Sequence, residues 1–127
     1  MAWVEIVTAL ALLQYITLGF KVGQARGKYD VKAPAVTGAE GFERAYRVQM
    51  NTLELMVMFI PALWMAAQHV APSIAAGIGV IYLIGRILYA RAYVADPAKR
   101  GPGCILSLGP TMVLVIIALV GALLDVF

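Results

Sequence analysis

Very little in this chain can bind a metal or form a disulfide. Among 127 residues there is one cysteine, Cys104, and one histidine, His69. A lone thiol builds no disulfide framework, and one thiol with one imidazole falls short of any metal cluster. Cys104 is read as an inert packing residue and His69 as a polar group at the membrane surface. Charge is scarce as well. Only 13% of residues are charged against 62% hydrophobic, too apolar a balance for a soluble domain of this size. A nucleic-acid partner is excluded, because a net charge of +3 has no soluble basic surface on which to act. Internal repeats and low-complexity tracts are absent. The opening MAWVEIV has no basic leader, so the first apolar run is expected to be a membrane span and not a cleaved signal peptide.

What the chain does have is four long apolar runs. A spanning helix needs about 20 mostly apolar residues, and such helices are expected at residues 2–25, 41–71, 73–95 and 104–127. The expected fold is all-α, a single integral membrane four-helix bundle over residues 1–127. All ten Lys and Arg lie within residues 21–47 or 86–100. By the positive-inside rule the first and third loops are cytoplasmic and both termini lie on the opposite side. Trp3 and Trp64 then fall toward the non-cytoplasmic interface, as an aromatic belt requires. Loop 1, GKYDVKAPAVTGAEG, and loop 3, ADPAKRGPG, are rich in Gly and Pro and read as irregular backbone. Loop 2 is a few residues around Pro72, so the second and third helices are antiparallel neighbours. Small residues at Ala75, Ala76, Gly77, Gly79 and Gly85 permit close helix contact in lipid. Pro61 lies inside the second helix, where it removes a backbone donor and favours a kink.

Polar residues inside such helices carry the functional information. Arg47, Asn51 and Glu54 are spaced i, i+4, i+7 and share one helix face; Gln49 lies away from it. On the third helix Tyr82, Arg86, Tyr89 and Tyr93 form a second stripe of the same spacing. Both stripes belong to the cytoplasmic half, with Arg86 on the order of 15 Å from the loop at 1.5 Å per residue. A charge at the centre of a span costs roughly 2.5–3.5 kcal/mol on insertion scales, so such groups face protein or a wet cavity. Two facing stripes imply an enclosed polar site open to the cytoplasm. A plainer alternative is that Glu54 pairs with Arg47 or Arg86 and staples helices together. Stoichiometry favours a ligand: Arg26, Arg47, Arg86 and Arg100 surround one carboxylate, Glu54. The surplus suits an anionic guest that also carries an amine, such as a small zwitterion with two or more carboxylates.

Residues 42–64, FERAYRVQMNTLELMVMFIPALW, resemble the signature of the MAPEG family, the membrane-associated proteins of eicosanoid and glutathione metabolism, and YLIGRILYARAY is similar to that family's third helix. The resemblance implies a homotrimer that binds glutathione between adjacent subunits near the cytoplasmic side. It implies a glutathione transferase, with possible peroxidase chemistry, acting on lipophilic electrophiles or lipid peroxides in detoxification. By the same resemblance Arg26, Arg47, Gln49, Asn51, Glu54, Arg86, Tyr89 and Tyr93 hold glutathione. Glu54 takes the γ-glutamyl ammonium and the arginines take the carboxylates. Arg100 matches the arginine that stabilises the thiolate. A thiol of pKa about 8.5 is mostly protonated at neutral pH, and a nearby cation favours the anion. The implied partners are a second and third copy of the chain, glutathione, lipophilic small molecules or lipids, and the membrane; no metal is implied.

Three positions depart from the family pattern. Gly27 follows Arg26 where the leukotriene-forming member has a second arginine. Leu55 stands where a tyrosine follows the glutamate. Pro61 lies one turn later than the usual proline. Arg47 is retained, whereas the noncatalytic lipoxygenase-activating member lacks its counterpart, and this favours an enzyme over a lipid-presenting scaffold of the same fold. A small multidrug exporter is a third reading. Those rely on a carboxylate in the middle of the first helix, where this chain offers Gln14 and Thr17, with Glu5 near the end. The compact chain without targeting signals points to a bacterial inner membrane.

Overall fold

The computed structural model describes residues 1–127, and every regular element in it is helical. Four α-helices follow one another: α1 Ala2–Tyr29, α2 Glu40–Ala66, α3 Pro72–Ala95 and α4 Gly101–Val126, with a 3₁₀ turn at Pro97–Lys99 before α4. Each is long and apolar enough to cross a membrane, and the chain is a multi-pass integral membrane protein. The surface agrees with lipid as the solvent: Phe20, Ile105 and Leu124 are 71%, 71% and 73% exposed.

The helix ends differ from the sequence expectation in instructive ways. Helix α1 runs four residues past 25, through Gly27, and stops where Asp30 turns left-handed at φ 53°. Aspartate is among the few non-glycine residues that tolerate that region. Helix α2 ends at Ala66 rather than 71, because residues 67–71 form the turn that reverses the chain into α3. The GPG of loop 3, expected to be irregular, forms the first turn of α4. Proline is admitted there, since the first backbone N–H groups of a helix have no intrahelical partner. Helix α2 continues through Pro61, and α4 carries an internal proline of its own, Pro110.

The core lies along the bundle axis. Val4, Val7 and Ala11 of α1 meet Phe59 and Leu63 of α2, Tyr82 of α3 and Leu114 of α4. The Phe59 and Tyr82 rings stack with centroids 3.7 Å apart. Two side-chain hydrogen bonds cross between helices in this region. Trp64 Nε1 donates to Thr8 Oγ1 at 2.9 Å, joining α2 to α1. Gln14 Nε2 donates to the Leu83 carbonyl at 2.9 Å, joining α1 to α3.

Helices α3 and α4 make the most extensive contact in the bundle, and two glycines allow it. A Cβ on Gly85 would lie 2.5 Å from the carbonyl carbon of Leu106, and one on Gly103 would strike the backbone of Tyr89. Backbone meets backbone here, which gives van der Waals attraction its shortest range in a solvent that supplies no hydrophobic drive. The small residues of α3 do not all share this duty. Ala75, Ala76, Gly79 and Gly85 are buried, but Gly77 is exposed with nothing near its Cβ position. It is two residues from both Ala75 and Gly79, so a 100° helical step turns it to the opposite face.

These contacts predict opposite effects of the same substitution. Gly103→Ala should lower stability by about 1–3 kcal/mol through overpacking. Gly77→Ala should raise it by about 0.5–1 kcal/mol through reduced chain entropy. Thermal denaturation of each purified variant in detergent, followed by circular dichroism, measures both.

Candidate functional site

The polar half of the bundle is organised around one guanidinium. Arg86 leaves α3 at a position that is 3% exposed, and its NH2 donates to Asn51 Oδ1 at 2.9 Å and Thr52 Oγ1 at 2.7 Å, both on α2. Its NH1 reaches Ser107 Oγ of α4 at 3.5 Å. The same guanidinium lies 4.3 Å over the ring of Tyr89, and Tyr89 stacks on Tyr93 with centroids 5.6 Å apart. Arg86 Nε has no partner. The acceptors are in turn held by their own helices. Ser107 Oγ donates to the Gly103 carbonyl at 2.5 Å and Thr52 Oγ1 to the Val48 carbonyl at 2.8 Å. A planar cation with five fixed donors suits this arrangement, because it can serve acceptors on two helices at once.

The stripe on α2 has a different exposure. Arg47 NH1 donates to Glu54 Oε1 at 3.2 Å along one face of α2, with the two side chains 50% and 58% exposed. The pair points out of the four-helix bundle. The two stripes were expected to enclose a site between them. Within one chain they are joined by a hydrogen bond where Asn51 accepts from Arg86 and share one cavity through Arg47 and Tyr93, but Glu54 turns outward. The cause is rotational. Asn51 and Thr52 occupy the edge of α2 that turns toward α3, and Arg47 and Glu54 stand on the flank beyond it.

A cavity of about 400 Å³ opens beside Arg47. It is lined by Glu40, Glu43, Arg44 and Tyr46 of α2, Tyr93 of α3 and Pro97 of the 3₁₀ turn, among others. Arg44 closes one side of it. Its NH1 donates to the Val94 and Ala95 carbonyls at 3.0 and 3.2 Å, and its NH2 pairs with Glu40. Those carbonyls belong to the C-terminal turn of α3, where intrahelical donors run out and a cation is favoured by the helix dipole.

The remaining candidates are dispersed. Gln49 turns the other way and packs its amide against Gly19 of α1. Arg26 donates to the Ala35 carbonyl at 2.8 Å and sits 4.9 Å over the Phe42 ring, bracing loop 1. Arg100 is exposed and donates to the Pro97 carbonyl at 3.0 Å, so it stands on the loop whose Pro97 lines the cavity. The structure therefore brings Arg86, Asn51, Tyr89 and Tyr93 together, sets Arg47 and Glu54 on the outer face, and leaves Arg26, Gln49 and Arg100 apart from them within one chain. Thr52, Ser107 and Arg44 were missed in the sequence. The hydroxyls had a signal, since Ser107 and Thr111 are polar groups in an otherwise apolar span; Arg44 had none, because its function depends on where α3 ends.

The sequence profile of the MAPEG family matches residues 4–120. The chain is 48% identical over 124 residues to an uncharacterised protein of Synechocystis sp., covering 98% of this chain and 88% of the relative. It is 41% identical over 117 residues to microsomal glutathione S-transferase 2 of Homo sapiens, covering 92% of this chain and 78% of the relative. Leukotriene C4 synthase of Bos taurus is 32% identical over 117 residues, at 92% and 78% coverage.

The two arginines of the stripes should respond differently to neutralisation. Arg86→Met leaves buried acceptors on two helices without a donor and should cost about 3 kcal/mol or more. Arg47→Met removes one ion pair that lies half-exposed within a single chain and should cost less than Arg86→Met does. Thermal denaturation of the ligand-free proteins in detergent tests the difference.

Proposed function

The chain belongs to the MAPEG family, and on that premise we propose that it is a membrane-bound glutathione transferase that adds the glutathione thiolate to lipophilic electrophiles. The observation that carries this reading is the outward-facing pair Arg47 and Glu54. A guanidinium and a carboxylate on the outer face of a spanning helix cannot be left to lipid. A further copy of the chain covers them, and the covered space receives a small zwitterion. The assembly proposed is the homotrimer that the family resemblance implies.

The residues present fit glutathione. Glu54 suits the γ-glutamyl ammonium, and Arg47 suits a carboxylate; separating the pair supplies one charge to each end of the ligand. Asn51, Arg86, Tyr89 and Tyr93 form the polar wall behind them. Gln49 and Arg26, remote from these groups in one chain, are assigned to the site through a neighbouring subunit. Bound glutathione supplies the thiolate, which forms a sulfur–carbon bond as a leaving group departs or, with a lipid hydroperoxide, is oxidised as the peroxide is reduced to the alcohol and a second thiol completes the disulfide. Arg100 stabilises that anion. Depressing a thiol pKa by about two units requires about 2.7 kcal/mol, within the range of one well-placed cation. The basic ends of the bundle are assigned to the cytoplasm, and the bacterial relative supports an inner membrane as the location.

Glu54→Gln should weaken glutathione binding at least about tenfold, the loss of one charge-assisted contact, while the oligomer survives. Calorimetric titration decides it, and unchanged affinity rejects Glu54 as a ligand. A particle of one chain mass in detergent rejects the shared site.

Arg100→Ala should raise the pKa of bound glutathione and slow turnover with a smaller effect on binding, because the charged contacts elsewhere persist. Lysine should restore part of the rate. Ultraviolet titration of the bound thiolate is the measurement; the same pKa in wild type and variant removes Arg100 from the chemistry.

A further inference from the structure

Two cations in the spanning helices take no part in the site described above. Lys21 of α1 and Arg91 of α3 are both exposed, and neither makes a side-chain hydrogen bond or ion pair. By contrast, Arg26, Arg44, Arg47, Arg86 and Arg100 each donate to a protein acceptor. No carboxylate lies within ion-pair distance of either cation. Glu40, Glu54 and Asp125 are in other pairs, and Asp96 caps the 3₁₀ turn.

Lys21 and Arg91 face the same space. Together with Leu18 and Ala90 they line two adjoining cavities, one of about 500 Å³ between α1 and α3 and one of about 320 Å³ floored by Ala45 and Val48 of α2. The larger cavity runs from the two cations toward the middle of the bundle, with Leu10, Leu13, Leu83 and Ile87 on its walls and Gln14, Thr17 and Arg86 as its polar lining. Leu10, Leu13 and Ile87 are themselves 44%, 55% and 46% exposed, so the groove opens sideways. Arg91 is four residues from the end of α3, about 6 Å at 1.5 Å per residue, a depth from which a long basic side chain reaches the head-group level.

We propose that this groove binds an anionic phospholipid, with the phosphate held between Lys21 and Arg91 and an acyl chain lying along the leucine-lined, outward-opening side of the channel. Charge complementarity argues for the head group. Two unpaired cations on neighbouring helices lack a counter-ion, and basic pockets between spanning helices are suited to phospholipid phosphates. The sideways opening argues for a lipid over a soluble anion, since an acyl chain enters from the bilayer and a free phosphate gains nothing from the channel.

The test uses the purified, delipidated oligomer in detergent, offered phosphatidylglycerol and phosphatidylcholine of equal chain length and read by native mass spectrometry. Wild type should retain phosphatidylglycerol with a preference on the order of tenfold, as two basic groups near a membrane surface provide. The double variant Lys21→Gln/Arg91→Gln should lose that preference. The charge-retaining Lys21→Arg/Arg91→Lys should keep it, which shows that loss in the first variant is not misfolding. Lys99→Gln, at an exposed cation elsewhere, should bind as wild type does, and glutathione affinity should be unchanged in the double variant. Any of these results overturns the proposal: equal retention of the two lipids by wild type; a preference that survives Lys21→Gln/Arg91→Gln; an equal loss in Lys99→Gln, which means diffuse surface charge; or displacement by soluble glycerol phosphate, which means a site for a free anion. Retention of neither lipid also overturns it, since a groove filled by a second copy of the chain behaves that way.

Discussion

A single buried guanidinium organises the polar half of this protein. In hydrocarbon a charge without partners is prohibitive, so Arg86 dictates what must surround it. Asn51 and Thr52 have to face it from α2 and Ser107 from α4, and the Tyr89 ring covers one side. Each requirement fixes the rotation of a helix about its own axis. Once α2 is turned to give Asn51 and Thr52 to Arg86, the residues beyond that edge, Arg47 and Glu54, are driven to the outside. The glycines that bring α3 against α4 serve the same centre, because Gly85 and Gly103 let Ser107 approach. Inner arginine and outer arginine are thus two results of one packing decision.

That division separates two duties that share a motif. Asn51 belongs to both, since its Oδ1 is committed to Arg86 while its neighbours along the helix face outward. A ligand lying against Arg47 and Glu54 therefore touches a wall whose position is set from inside the bundle. Such a wall is preorganised, and its polar groups do not need to be gathered when the ligand arrives.

Much of the architecture was legible because a membrane imposes a simple code. Hydropathy located four spans, and the polar stripes were visible as interruptions in them. Helix ends were less legible for local reasons. Gly27 reads as a loop residue, yet α1 continues through it until Asp30 takes a left-handed conformation. GPG reads as a break, yet proline is harmless in a first turn. The orientation of Glu54 within one chain was not legible for a different reason. Periodicity tells which residues share a face, but only packing tells which way that face looks. Thr52 and Ser107 lay in the sequence as isolated hydroxyls, and nothing in their spacing named Arg86 as their partner.

The contact between Arg44 and the last carbonyls of α3 sets a leash on Arg100. The clamp holds Val94 and Ala95, and five residues later the chain reaches Arg100. Fully stretched, that length spans about 17 Å at 3.3–3.6 Å per residue. The chain is shorter than that, because Asp96 accepts from Ala98 and the Pro97–Lys99 turn is coiled. Arg100 is therefore held within a short span of the clamp, and its carbonyl, accepting from the Cys104 N–H, ties it to the start of α4 as well. A shift of α2 at Arg44 would pull on Arg100 from one side while α4 holds it from the other, as a rope moored at two posts gives little.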